Sequence, residues 1–464
     1  MGPRLLHYSD VENAYDAPGR IGRLAGLIES RRDGSTIVAG TGDNTSPGVL
    51  PLVTEGRQSL DFFRAVEPDL ETFGNHDFDY GRDRILDVVR ESPQTWVTAN
   101  VRRNGTVFGA DAGVRPWTVV DRAGERVGFL GLTDPATGSL NPNATGLEFE
   151  DPIRVARDVV DDLRDRGVDH LVVLSHLGAA DEELAAELDV DVVLGGHVHS
   201  ERVERVDGTL LTRPGVNGEV VLEVDLGGRP AVSRHEVTDA PVHDGVADAL
   251  RSRMRAADLE EVVATVEEPI DRSEGTVFRG ESRVGNFVAD AYRWTMGTDV
   301  GLQNSGGIRS GEPLRGEVTL ADLISLVPFE ESVAVAALSG AELLDTFRQA
   351  DGSRVAFGEA DWWHAHVSGA RIVWDPDSGA LKRATVGGEP IDPTATYTVA
   401  TTRYLFHSDH EFPAIDERHL VEEGPIQYEA LVDFARAEGI DPAVEGRIVR
   451  EGDGYGDRDK DGDG

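Results

Sequence analysis

The chain has 464 residues, enough for two or three cores, and its 85 acidic against 45 basic residues give a formal net charge of −40. That balance argues against partners that are themselves polyanions, so neither nucleic acid nor an anionic membrane surface is expected to bind. There is no cysteine, which excludes disulfides and thiolate metal sites and leaves any metal to oxygen and nitrogen ligands.

From residue 5 to about residue 200, short Val/Ile/Leu runs alternate with helical patterns at 21–31, 59–65, 84–90, 152–166 and 182–188. This is the alternation of a layered α/β domain. Five of the apolar runs end at once in candidate ligands. Residues 5–9 lead to Asp10 and Glu12, 36–42 to Asp43, 68–73 to Asn75 and His76, 170–175 to His176, and 190–196 to His197 and His199. Ligands in open α/β sheets gather outside the carboxyl ends of strands, so the five ends are expected to converge on one site. Runs at 96–100 and 127–132 read as further strands without ligands, and residues 205–238 read as strand throughout.

Residues 244–263 read as one long, exposed, polar helix that joins two domains. A second α/β body follows, with strands near 300–303, 333–338, 370–374 and 397–401. The expected organisation is a domain over 1–238, a linker helix within 239–268, a smaller α/β domain over 269–452 and a disordered acidic tail over 453–464. In that tail Asp457, Asp459 and Asp461-Gly462 open like a calcium loop. The bidentate Glu that such a loop requires does not follow, so a solvated tail is the simpler reading. The segment Met1-Gly2-Pro3-Arg4 enters the first strand without an apolar leader, and no run of about 18 apolar residues occurs. A cytoplasmic protein without a membrane partner is expected.

Asp10, Glu12, Asp43, Asn75, His176, His197 and His199 are oxygen and nitrogen donors of intermediate hardness, suited to Mn, Fe, Zn, Co or Ni. Seven ligands exceed the needs of one ion, whereas two ions sharing a bridging carboxylate account for them. Such a pair serves in-line phosphoryl displacement. His76 can protonate the leaving oxygen, and Asp79, three residues on, can hold its imidazole. His235, His243 and His419 sit in no ligand pattern and read as structural or solvated.

The series Asp10, Asp43-Asn44, Gly74-Asn75-His76-Asp77, His176 and Gly196-His197-Val198-His199 resembles the calcineurin-like metallophosphoesterases in order and spacing. The resemblance implies a four-layer β-sandwich flanked by helices. It also implies one divalent ion on Asp10, Glu12, Asp43 and His199, a second on Asp43, Asn75, His176 and His197, and a catalytic dyad of His76 and Asp79. Where the family has Asp-x-His, this chain has Asp10-Val11-Glu12, and the added carboxylate favours Mn or Mg over Zn.

Glu281-Ser282-Arg283-Val284-Gly285-Asn286, Asn304-Ser305-Gly306-Gly307-Ile308-Arg309 and Val327-Pro328-Phe329 resemble the substrate-binding domain of the 5′-nucleotidase and UDP-sugar hydrolase family. Asn304 with the Gly306-Gly307 backbone leaves room for a base or ribose, and Arg309 offers a planar fork for phosphate. Phe329 and Tyr404 would correspond to the family's base-stacking aromatics, Arg279 or Arg283 would give a second phosphate contact, and Asp409, or His410 in its place, would meet the ribose. The implied activity is release of phosphate from a nucleotide. The alternatives are a cyclic-nucleotide phosphodiesterase, a UDP-sugar hydrolase, a thiosulfohydrolase, or a nucleotide-binding protein without catalysis. Lys382 and Lys460 are the only lysines, and this acidic, arginine-based composition resembles proteins of salt-loving organisms. Salt at 1 M, with a Debye length of about 3 Å, would screen the self-repulsion.

Overall fold

The computed structural model describes residues 2–355, 362–408 and 410–451. The described residues form two compact units that divide between Ala257 and Asp258; the acidic tail at 453–464 lies outside the described residues. Among the described residues no helix is long and apolar enough to cross a membrane.

The first unit is built on two six-stranded sheets. One runs in the order Ala231–Glu236, Val220–Asp225, Arg4–Tyr8, Thr36–Gly40, Leu70–Glu71, Thr95–Trp96. The other runs Arg202–Val206, Thr209–Arg213, Val192–Gly195, His170–His176, Glu125–Thr133, Trp117–Arg122. Leu5, Ile37, Ala39 and Leu70 share one core with Val127, Phe129, Val172, Leu174, Val192 and Leu194 of the second sheet. Leu130, Leu132, Leu171 and Val173, one residue out of phase, meet Val155, Val159, Val160 and Leu163 of the helix Pro152–Asp165. Successive strand residues face opposite layers, and because both layers are covered the central strands, such as 36–40 and 171–174, are buried throughout. The helix starts where Asp151 accepts the Arg154 amide at 2.8 Å and Pro152 fixes the first turn. Parallel register pairs Tyr8 with Gly40 and Thr133 with His176, so the chain repeatedly leaves a sheet at the carboxyl end of its strands.

Residues 244–263 do not form the single exposed linking helix that their polarity suggests. The helix is Asp244–Ala256, with His243 capping it by accepting the Val246 amide. It packs on the helices Pro18–Arg31 and Ser59–Val66 of its own unit, burying Val246, Ala247 and Leu250, and Arg253 Nη2 meets Asp61 Oδ1 at 3.0 Å. Asp258, with φ 52°, turns the chain away from helix, and the β-branched Val262 and Val263 open the strand Val262–Ile270 of the second unit. The run at 96–100 is strand only over Thr95–Trp96. Asn100 instead turns its amide to Thr133 O at 2.8 Å and so anchors the end of the neighbouring strand.

The second unit centres on a five-stranded sheet, ordered Ala365–Ser368, Val300–Asn304, Thr396–Thr402, Ser332–Ser339, Leu420–Ile426. Phe287, Val288, Ala291 and Tyr292 of the helix Arg283–Met296 pack with Leu431 and Ala435 of Gln427–Glu438 in one core. Leu343 and Phe347 of Gly340–Arg348 join a second core with Leu302, Ala336 and Leu338.

Candidate metal centre

Every strand end picked out by its ligands arrives at one place. The ligand atoms of Asp43, His176 and His197 lie within 4.8 Å of one another, and so do those of Asp10, Glu12 and His199. His176 Nε2 is 3.0 Å from Asp43 Oδ2 and 3.3 Å from Asn75 Oδ1, which sets Asn75 beside the first group. Its Nδ1 donates to Thr41 O at 2.7 Å, a bond that fixes the ring and turns Nε2 toward the carboxylate. Glu12 takes the place of the family's histidine and lies 3.1 Å from His199 Nε2. The two groups interlock through the backbone, because His197 N donates to Asp10 Oδ1 at 3.1 Å. Gly74 is required here: a Cβ at that position would collide with the Asp43 carboxylate.

The site is electrostatically incomplete without a cation. Asp10, Glu12 and Asp43 are at most 3 % exposed, and among the described residues their ion-pair partners are His199 and His176 rather than Arg or Lys. Buried carboxylates so weakly compensated are costly. Burial raises the Asp10 pKa. For Asp43 burial also acts upward, but His176 outweighs it and holds the carboxyl well below its usual range. Burial, aided by His176, pushes His197 down to about 4, so its ring is neutral and able to ligate. The donor set of three carboxylates, one amide and three imidazoles fits a pair of divalent ions of the Mn, Fe, Co or Zn type.

His76 stands against this cluster. Its backbone amide donates to Asp43 Oδ1 at 2.7 Å, and its Nδ1 lies 3.0 Å from Asp79 Oδ2. Asn141 holds the other Asp79 oxygen at 2.9 Å. Burial disfavours the imidazolium, but Asp79 and, farther off, Asp43 and Glu12 overcome it and push His76 up to about 10 in the metal-free chain. The ring therefore carries a proton.

Two residues of the site are given no role by sequence reasoning. Asp77 reads there only as a turn residue, yet its carboxylate accepts the Asp43 and Gly74 amides at 3.0 and 2.7 Å and the Thr45 hydroxyl at 2.7 Å, tying two ligand loops together. Asp134 ends a strand expected to carry no ligand; its Oδ2 lies 3.5 Å from His197 Nε2. The signal for Asp77 is its place directly behind the ligand and the acid in Asn75-His76-Asp77.

The nucleotide-contact candidates of the second unit are less uniform. Arg309 is exposed and its guanidinium lies 4.9 Å over the half-buried Phe329 ring. Asn304 is 4 % exposed, with Nδ2 given to Glu411 Oε2 at 2.8 Å and Oδ1 taken by Gln303 at 2.8 Å. Tyr404 donates to Glu411 Oε1 at 2.9 Å, and His364 Nε2 meets Glu411 Oε2 at 2.5 Å. The buried carboxylate that closes this cluster is thus Glu411. Asp409 lies outside the described residues, and His410 is exposed. Gly306 and Gly307 form a short turn, but the space left by Gly307 is filled by the Gln303 and Asn304 amides rather than left for a ligand. The Arg283 guanidinium donates to Pro442 O at 2.7 Å and to Glu268 O and Pro269 O, because a guanidinium fork satisfies backbone carbonyls as readily as phosphate. Arg279 is exposed.

Comparison with known proteins agrees with both halves. The calcineurin-like phosphoesterase profile matches residues 3–201, and the 5′-nucleotidase C-terminal domain profile matches residues 262–417. The chain is 24 % identical over 513 residues to the trifunctional nucleotide phosphoesterase protein YfkN of Bacillus subtilis, covering 96 % of this chain and 34 % of that one. It is 28 % identical over 453 residues to an apyrase of Tabanus yao, covering 83 % and 79 %. It therefore spans about a third of the length of the Bacillus relative and most of the other. The crystal structure of a 5′-nucleotidase precursor from Thermus thermophilus superposes with a TM-score of 0.78 at 25 % identity, over 97 % of this chain and 99 % of that one. With a phosphoesterase unit whose ligand ends converge and a nucleotidase unit behind it in sequence, the chain belongs to the 5′-nucleotidase family of calcineurin-like metallophosphoesterases.

Proposed function

We propose that this chain is a two-metal phosphohydrolase that releases phosphate from nucleotides. The observation that carries the proposal is the pairing of two ligand groups, whose carboxylates are buried, with a His76 braced by Asp79. Asp10, Glu12 and His199 would hold one divalent ion, Asn75, His176 and His197 the other, with Asp43 between them. When bound, such ions activate water and neutralise phosphate charge. The protein's own part is the acid. His76 Nε2 is free of the Asp79 bond made through Nδ1 and can deliver its proton to the leaving oxygen, while Asp79, itself held by Asn141, keeps the ring in one orientation.

A nucleotide is supported as the substrate by the relatives named nucleotide phosphoesterase, apyrase and 5′-nucleotidase, and by the exposed Arg309 held over Phe329. That pair would meet phosphate and base respectively. The Glu12 carboxylate makes the Asp10 group the harder of the two and favours Mn or Mg there. The test is phosphate release from nucleoside mono-, di- and triphosphates, cyclic nucleotides and UDP-sugars, with Mn added to chelator-stripped protein. Mn-dependent release from a nucleotide is expected; release independent of any divalent ion, or confined to non-nucleotide esters, would overturn it.

A further inference from the structure

We infer that Asp134 is a positioning residue for His197, so that the second metal position depends on a carboxylate outside its ligand set. The inference rests on the reading of His197 as a ligand. Asp134 follows directly on the strand Glu125–Thr133, whose last residue is in register with His176. Its backbone N donates to His176 O at 3.0 Å, which fixes the residue against the ligand strand. Its Oδ1 accepts the Ala136 amide at 2.9 Å, and the Thr137 amide donates to the Asp134 carbonyl at 3.1 Å. This short turn leaves Oδ2 facing His197 Nε2 at 3.5 Å.

Asp134 belongs to neither group whose ligand atoms lie within 4.8 Å of one another, so it meets the ring from beside the cluster rather than from within it. A histidine has two ring nitrogens with different tasks. The one facing the carboxylate takes the proton as Nε2–H, which leaves Nδ1 unprotonated and able to act as a ligand atom. His176 is treated in the mirrored way, with Nδ1 bonded to Thr41 O and Nε2 toward Asp43. The two imidazoles, their centroids 4.9 Å apart, would thus serve the same ion through opposite nitrogens. Each is held in its tautomer by an oxygen at the end of a neighbouring strand. Without Asp134 the His197 ring has no acceptor on that side among the described residues and divides between tautomers.

The test is metal affinity, read by competition against a chromophoric chelator on full-length protein, with thermal unfolding of the metal-free protein as the control for folding. Asp134→Asn keeps the shape and removes the charged acceptor; it is expected to bind the second ion about 10–100-fold more weakly while still taking up two ions at saturation. Asp134→Glu should recover part of the loss, and metal-free unfolding should be unchanged in both. Unaltered affinity in Asp134→Asn would reduce Asp134 to a turn residue and overturn the inference. Loss of one ion at saturation would make Asp134 a ligand and overturn it equally. His197→Ala separates the underlying reading: it must lose one ion, and if it retains both, the assignment of His197 as a ligand fails and the inference falls with it.

Discussion

Both units contain a buried polar cluster at strand ends, and the two clusters are finished differently. Around Glu411 the donors and acceptors close on one another: Asn304, Tyr404 and His364 all reach the same carboxylate. Around Asp43 the buried carboxylates of Asp10, Glu12 and Asp43 converge, and among the described residues the ion pairs made to them come from histidines alone. A satisfied network rigidifies a fold, whereas an unsatisfied convergence of carboxylates is tolerated only where something else binds. Burial of polar residues therefore does not by itself mark a site. What marks it is the charge left over.

The sharpest way to break this contrast is at Asp43. Asp43→Asn should abolish phosphate release and lower metal content, as should stripping the protein with a chelator, because the carboxylate proposed to lie between the two ions loses its charge. Phosphate release within tenfold of the parent would refute its central place. Next in size is His76→Ala. Turnover should fall by about 10²–10⁴, with metal content measured by plasma emission unchanged; equal metal loss in both variants would erase the separation of acid from ligands. In the closed cluster the effect should appear in stability instead. Glu411→Ala strands the buried Asn304 and His364 and the half-buried Tyr404 and should lower the free energy of unfolding by about 3 kcal/mol in chemical denaturation, with two ions still bound. A variant that unfolds like the parent would show that cluster to be less closed than its hydrogen bonds indicate. The smallest effect is expected at Phe329. Phe329→Ala should reduce kcat/KM for a nucleotide by about 1–3 kcal/mol, the worth of one base stack, and leave a generic aryl phosphate untouched. An equal loss on both substrates would make Phe329 a core residue.

The ligand loops are legible in sequence because each is a polar cluster directly behind an apolar run, and parallel register forces such ends together. Asp134 follows the same rule but stays invisible, since Thr-Asp-Pro is ordinary turn composition and a single carboxylate there has many uses. Glu411 is hidden for another reason: its partners Asn304 and His364 lie 107 and 47 residues away, and only tertiary packing brings them together. Arg283 misleads because a guanidinium that meets carbonyls and one that meets phosphate look alike in a sequence. The helix Asp244–Ala256 reads as a free linker because its many charges conceal the three buried positions that dock it on its own unit.

Asp10, Glu12, Asp43 and His197 all adopt left-handed backbone conformations, with φ of 47°, 43°, 52° and 71°. Each such residue costs on the order of 1 kcal/mol, less for aspartate and histidine than for glutamate. The metal centre is thus a standing load on the fold, and glycine at position 12 or 197 would relieve part of it while removing a ligand.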